Sequence, residues 1–186
     1  HLVVAGASRI IGSKALSVHG GALVVAGGSL LTITGRSAII DAVAARDGGA
    51  IHIAQGSALV TVGASIVKVS SRRDGGAICI DPDFTRLDMT LLTVSNGTSI
   101  ANATAAGDGG VLKRRGGSAF VSESFIANAK AVYSGGVVSI GSGSSTCQRC
   151  SIGRSVARDG GAIYATGGRV RVIGSSIVRA AVRGDG

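Results

Sequence analysis

The sequence predicts an all-β protein, a right-handed parallel β-helix with three strands per coil and six to seven coils. The first observation behind this is an internal period. Gly-Gly pairs open equivalent segments at Gly20, Gly48, Gly75, Gly109, Gly135 and Gly160, so the repeats run 28, 27, 34, 26 and 25 residues, and a fixed period in this range marks a solenoid. The second is the tightness of the columns. The residue before the pair is Asp47, Asp74, Asp108, Asp159 or Asp185, with His19 and Ser134 departing, and three positions after its first Gly stand Leu23, Ile51, Ile78, Leu112, Val138 and Ile163. Nine positions before it stand Ile11, Ile39, Ile66, Ile100, Ile126, Ser151 and Ile177. The third is that each repeat divides into three short apolar runs bounded by Gly and Ser, such as Ala50 to Ile53, Ala58 to Val62 and Ser65 to Val69. Alternation of period two with β-branched enrichment reads as half-buried strands, and no stretch carries a long helical period.

Taken in order, the segment from His1 to His19 is a degenerate coil whose Ile10, Ile11 and Leu16 fit the apolar columns. Coils opening at Gly20 and Gly48 follow the consensus. The position four after the Gly places Val24, His52, Cys79, Lys113, Ser139 and Tyr164 on one ladder, expected to face solvent. His52 beside Cys79 offers two metal ligands without a third, so no metal site is predicted. The coil opening at Gly75 is about seven residues longer than its neighbours, and the excess is expected in the loop from Asp81 to Asp88. Insertions in solenoids become loops on one face, often the binding face. Asp81, Asp83, Arg86 and Asp88 are there the residue types a β-helical polysaccharide lyase would use, carboxylates for calcium and an Arg for proton removal, whereas the bland reading is a solvated Asp-Pro turn. Asn96-Gly97-Thr98 and Asn102-Ala103-Thr104 are N-glycosylation acceptors in form. Asn96 belongs to a turn, and Asn102 is expected to turn inward and bond turn backbone. Cys147 and Cys150 form a C-x-x-C in a Ser-rich corner, expected as a local disulfide or two free thiols. Cys79 lies about two coils away, too far to bridge directly. Asp before each Gly pair is read as a cap on turn backbone N–H groups.

A chain of 186 residues with 45% hydrophobic content suffices for one core, here a linear stack, so residues 1–186 read as a single β-helix segment. Aromatics at 3% fit a narrow core of Ile, Val, Leu and Ala and leave no stacking platform for single-stranded nucleic acid. The net charge of +9 points to an anionic partner or a solvated basic surface, with Arg72-Arg73, Lys113-Arg114-Arg115 and the 169 to 183 stretch as local clusters. No apolar run approaches the length of a spanning helix.

Gly48-Gly49-Ala50-Ile51, Gly75-Gly76-Ala77-Ile78, Gly160-Gly161-Ala162-Ile163 and Phe125-Ile126-Ala127-Asn128 resemble the repeat of the chlamydial polymorphic outer-membrane proteins, whose signature joins Gly-Gly-Ala-Ile with Phe-x-x-Asn. The resemblance covers nearly the whole chain and implies β-helical passenger regions acting in adhesion. The Asn column, seven before the Gly pair, reads Ser13, Asp41, Lys68, Asn102, Asn128, Gly153 and Arg179 and so keeps Asn twice. The expected function is a non-catalytic structural or adhesive segment of a larger surface or extracellular protein, with a protein or anionic glycan as partner and no cofactor. A polysaccharide lyase acting at the 81–88 loop and a spacer within a larger assembly are the alternatives. Both ends read as cut mid-repeat, so end-to-end stacking with further coils is expected.

Overall fold

The computed structural model describes residues 1–81 and 90–183. It is an all-β solenoid of about six turns, built from three parallel sheets that hold six, seven and nine strands among the described residues. One turn shows the pattern. Ile51–Ala54 enters the first sheet, Ala58–Val62 the second and Ser65–Ser71 the third, so the three apolar runs of the repeat become the three sides of the rod. No helix among the described residues is long and apolar enough to cross a membrane.

The core is a set of stacked columns, one inward residue per coil. In the third sheet Ile39, Ile66, Ile100, Ile126 and Ile152 pair in register and are buried. Two members differ from the expectation. Ile10, not Ile11, pairs with Ile39, and Ile11 is 60% exposed. Likewise Ile152 pairs with Ile126, while Ser151 pairs with Phe125 on the outer face. Counting back from the Gly pair fails in these coils because the spacing to the pair is ten residues from Ile10 and eight from Ile152 instead of nine, while the corners stay in register, as in the Asp159 to Ser134 bridge. Leu16 departs from its expected column as well, being 84% exposed next to Ala15, which pairs with Ala44.

The long coil keeps its register around the insertion. Asp81 pairs with Ala54 and Leu91 with Ala58. Nine residues separate the pair where the preceding coil has three, so six of the seven extra residues fall between Asp81 and Leu91. The seventh falls in the turn before Ser99, which pairs with Ser65.

From the second coil on, the third-sheet segment of each coil bends at one left-handed residue. Asp41, Lys68, Asn102, Asn128, Arg154 and Arg179 have φ between 52° and 58°, so the member in the penultimate coil is Arg154 and not Gly153. Asn102 is exposed, contrary to the inward orientation expected for it, because the bend turns the side chain out. Its Oδ1 accepts from Asn128 Nδ2 at 3.0 Å. Asn tolerates this backbone better than most residues, whereas Lys and Arg here carry strain.

The inward column of the second sheet loses bulk along the rod. It reads Leu31, Leu59, Leu92, Ala119, Ser145 and Val170. Where Ala119 and Ser145 replace leucine an apolar cavity of about 30 Å³ opens, and the Ser145 hydroxyl is buried there without a hydrogen-bond partner. Ser145→Val should therefore stabilise the fold by about 1 kcal/mol, filling space and removing an unpaired hydroxyl. Leu92→Ala, in the filled part of the same column, should cost about 3 kcal/mol. Urea unfolding of both variants checks the pair, and a destabilised Ser145→Val or an unaffected Leu92→Ala would contradict the column assignment.

Candidate functional site

The ladder of Val24, His52, Cys79, Lys113, Ser139 and Tyr164 exists as expected in the first sheet. It does not face solvent along its middle. His52 is 6% exposed, and Cys79 and Ser139 are buried. The reason is a layer of charged side chains from neighbouring corners that folds over the strands.

That layer is built by the Asp column. Asp47 Oδ1 accepts from the Asp74 backbone N–H at 3.0 Å, Asp74 Oδ1 from that of Asp108 at 2.9 Å, and Asp108 Oδ1 from that of Ser134 at 2.9 Å. Each carboxylate thus caps the equivalent residue of the next coil, a longer reach than the local turn cap expected. The second oxygens recruit cations. Arg115 bridges Asp74 at 2.7 Å and Asp81 at 2.9 Å, and Lys113 bonds Asp108 at 2.7 Å and the Ser139 hydroxyl at 3.1 Å. His19 Nδ1 lies 3.1 Å from Asp47 Oδ2, an ion-pair distance without directed hydrogen-bond geometry. The His19 ring stacks on His52 with centroids 4.4 Å apart.

Burial and environment tune these groups. Desolvation, helped by neighbouring His19, lowers His52 to about 4. Burial, with Asp47 adding to it, pushes the Cys79 thiol well above the ordinary thiol range. Desolvation works against the Asp108 carboxylate, yet the hydrogen bond and charge of Lys113 outweigh it and hold the group below the usual value. The sequence cluster Lys113-Arg114-Arg115 is therefore no basic patch. Strand alternation turns Arg114 into the core, where it pairs in register with Ile80 and Ile140. It is 0% exposed and donates through one terminal nitrogen to the Gly117 carbonyl, with Nε and the other terminal nitrogen unpartnered. Desolvation lowers it to about 10, and no apolar or charge pattern in the sequence announces it.

Of the four loop residues assigned to lyase chemistry, Asp81 is described and engaged with Arg115; Asp83, Arg86 and Asp88 lie outside the described residues. Among the described residues no group of three or more His, Cys, Asp or Glu is placed to hold a metal ion. Asn96 is exposed in a turn at φ 50°, while the Thr98 hydroxyl of its acceptor triplet is buried and donates to the Ser95 carbonyl at 2.7 Å. Asn102 and Thr104 are both exposed.

Cys147 sits on Ser144–Gln148 in the second sheet and Cys150 in the turn beyond it; both are free thiols. The Cys147 side chain hydrogen-bonds Cys150 and, against its burial, lowers it to about 7, while the same contact raises Cys147. Comparison with protein-family models, with curated proteins and with solved structures finds no match.

The His52 environment sets an acid limit on the fold. His52 binds a proton less readily folded than unfolded, so the stability from keeping it neutral is complete above pH 6.5 and is lost as pH falls from 6.5 to about 4. The linkage is worth about 3 kcal/mol. A second loss begins below the ordinary carboxylate value of 3.8, where Asp108 protonates in the unfolded chain first. In His52→Asn the first limb should flatten and the second persist, as read by urea midpoints between pH 7 and 3. An unchanged first limb would place the sensitivity elsewhere.

Proposed function

We propose that the chain is a non-catalytic structural and adhesive β-solenoid segment of a larger extracellular or cell-surface protein, similar to the repeats of the chlamydial polymorphic outer-membrane proteins. The observation that carries this reading is the use made of the corner carboxylates. Asp47, Asp74 and Asp108 each hold the backbone of the following coil, and Arg115 and Lys113 neutralise Asp74 and Asp108. Groups committed to such pairs are poor general acids, bases or metal ligands, because a reaction would need them released. A catalytic constellation requires nucleophile, base and a site for the reacting atom in mutual reach. The chemistry here goes into stacking coils, and stacked coils present long regular faces suited to binding extended partners.

Incubation of the chain with polygalacturonate or alginate and calcium, followed at 235 nm, tests this. A flat trace is expected. A steady rise in absorbance, the sign of unsaturated product, would overturn the reading in favour of a lyase acting at the Asp81 to Asp88 loop.

A further inference from the structure

Gly153 stands in the interior of Ser151–Ala157, on the outer face of the third sheet. A Cβ added there meets nothing within 4 Å, and its φ is not among the positive ones. Neither close backbone packing nor left-handed geometry demands glycine, although glycine weakens a strand. Its ladder neighbours are also small. Val67, Ala101, Ala127, Gly153 and Val178 pair in sequence, so the outer face dips between two valines into a trough of about 430 Å³.

The walls of the trough are chemically distinct. On one side lies Phe125, 48% exposed. On the other lies the left-handed column, where Asn128, Arg154 and Arg179 line the trough. Arg154 and Arg179 sit on adjacent coils, about 4.8 Å apart at the backbone. Both are exposed, and neither joins an ion pair among the described residues. Two like charges placed side by side at ladder distance oppose folding and leave an electropositive spot open to an anion. Guanidinium groups take carboxylate or sulfate oxygens bidentately. After its bond to Asn102, the Asn128 amide still has its oxygen and one N–H to offer hydroxyl groups.

We propose that this trough binds an extended anionic polysaccharide, a chain of pyranose rings bearing carboxylate or sulfate groups, laid along the rod axis. The arginines take the anions, the Asn128 amide the hydroxyls, and Phe125 the apolar face of a ring. The inference rests on the adhesive reading above and names its ligand and face. Other partners fit less well. A peptide strand needs a free sheet edge, whereas the backbone groups here are spent in the ladder. Single-stranded nucleic acid needs repeated stacking platforms, and the trough holds one aromatic ring.

The test is calorimetric titration of the full 186-residue chain with polygalacturonate, heparin, neutral amylose and oligothymidylate, in physiological salt. Binding of either charged glycan but not amylose is expected. Gly153→Val, which fills the trough, and Arg154→Asn/Arg179→Asn, which removes the charges while relieving the backbone, should each weaken it about tenfold or more. Arg169→Asn/Arg171→Asn, removing equal charge from the second sheet, should leave it nearly unchanged. Equal loss in both arginine pairs, indifference to Gly153→Val, tighter binding of oligothymidylate, or no glycan binding overturns the proposal. The double asparagine variant keeps the test decisive should the valine disturb folding, as circular dichroism would reveal. Failure of this site leaves the absorbance trace at 235 nm flat, whereas failure of the adhesive reading raises it.

Discussion

Everything in this solenoid depends on how closely one coil can approach the next at the Gly-Gly corner. A side chain on Gly49 would lie 2.6 Å from the Ser70 carbonyl carbon and nearer still to the Gly76 carbonyl oxygen. The backbones touch because nothing stands between them. That approach lets Gly48 N–H donate to the Asp74 carbonyl at 2.9 Å and Gly49 N–H to the Gly75 carbonyl at 3.1 Å, and the same exchange recurs at the corners opening at Gly20, Gly75, Gly109 and Gly135. Gly48 itself has φ of 69°, a conformation that glycine adopts without steric penalty. One glycine therefore turns the chain and the other admits the neighbour.

The electrostatics follow from that spacing. Stacking the corners places the Asp residues in a column, and like charges at ladder distance repel unless something neutralises them. The molecule answers with backbone N–H groups on one oxygen and, at Asp74 and Asp108, with Arg115 and Lys113 on the other, while at Asp47 His19 faces the second oxygen and Arg73 lies 3.9 Å from the first. Above the first sheet the His19 ring stacks on His52, and Arg115 and Lys113 reach across to the Asp corners, so a column that points away from the core is nonetheless dry in its middle. The third sheet has no Asp corner column over it, and its outer face stays open.

How much of this was legible in the sequence depended on whether the property was periodic. The Gly pairs, the three strands of each coil and the ladder from Val24 to Tyr164 could be read by counting. Ile10 and Ile152 could not, because a one-residue difference between the isoleucine and the corner breaks the count while leaving the pairing intact. The burial of Arg114 escaped because its position in the alternation is shared with Ile80 and Ile140, and an inward arginine violates the pattern that identified the strand. Residue type alone points Asn102 inward, but the left-handed bend at that column decides orientation, and a bend shared by Asp, Lys, Asn and Arg has no compositional signature. The trough at Gly153 stayed hidden among glycines that the corners require, since only the surrounding space separates a structural glycine from one the fold does not need.

That distinction supplies the most direct test of the account. Gly76→Ala and Gly153→Ala add the same methyl group, the first against the Gly110 carbonyl oxygen and the Thr104 backbone, the second into open space. If corner contact between backbones governs the fold, thermal and urea unfolding should show Gly76→Ala losing about 4 kcal/mol or its cooperative transition, with Gly153→Ala unchanged or slightly more stable. Comparable stability of the two variants would contradict the account, because the coils would then be held together by something other than the close approach at the glycine corner.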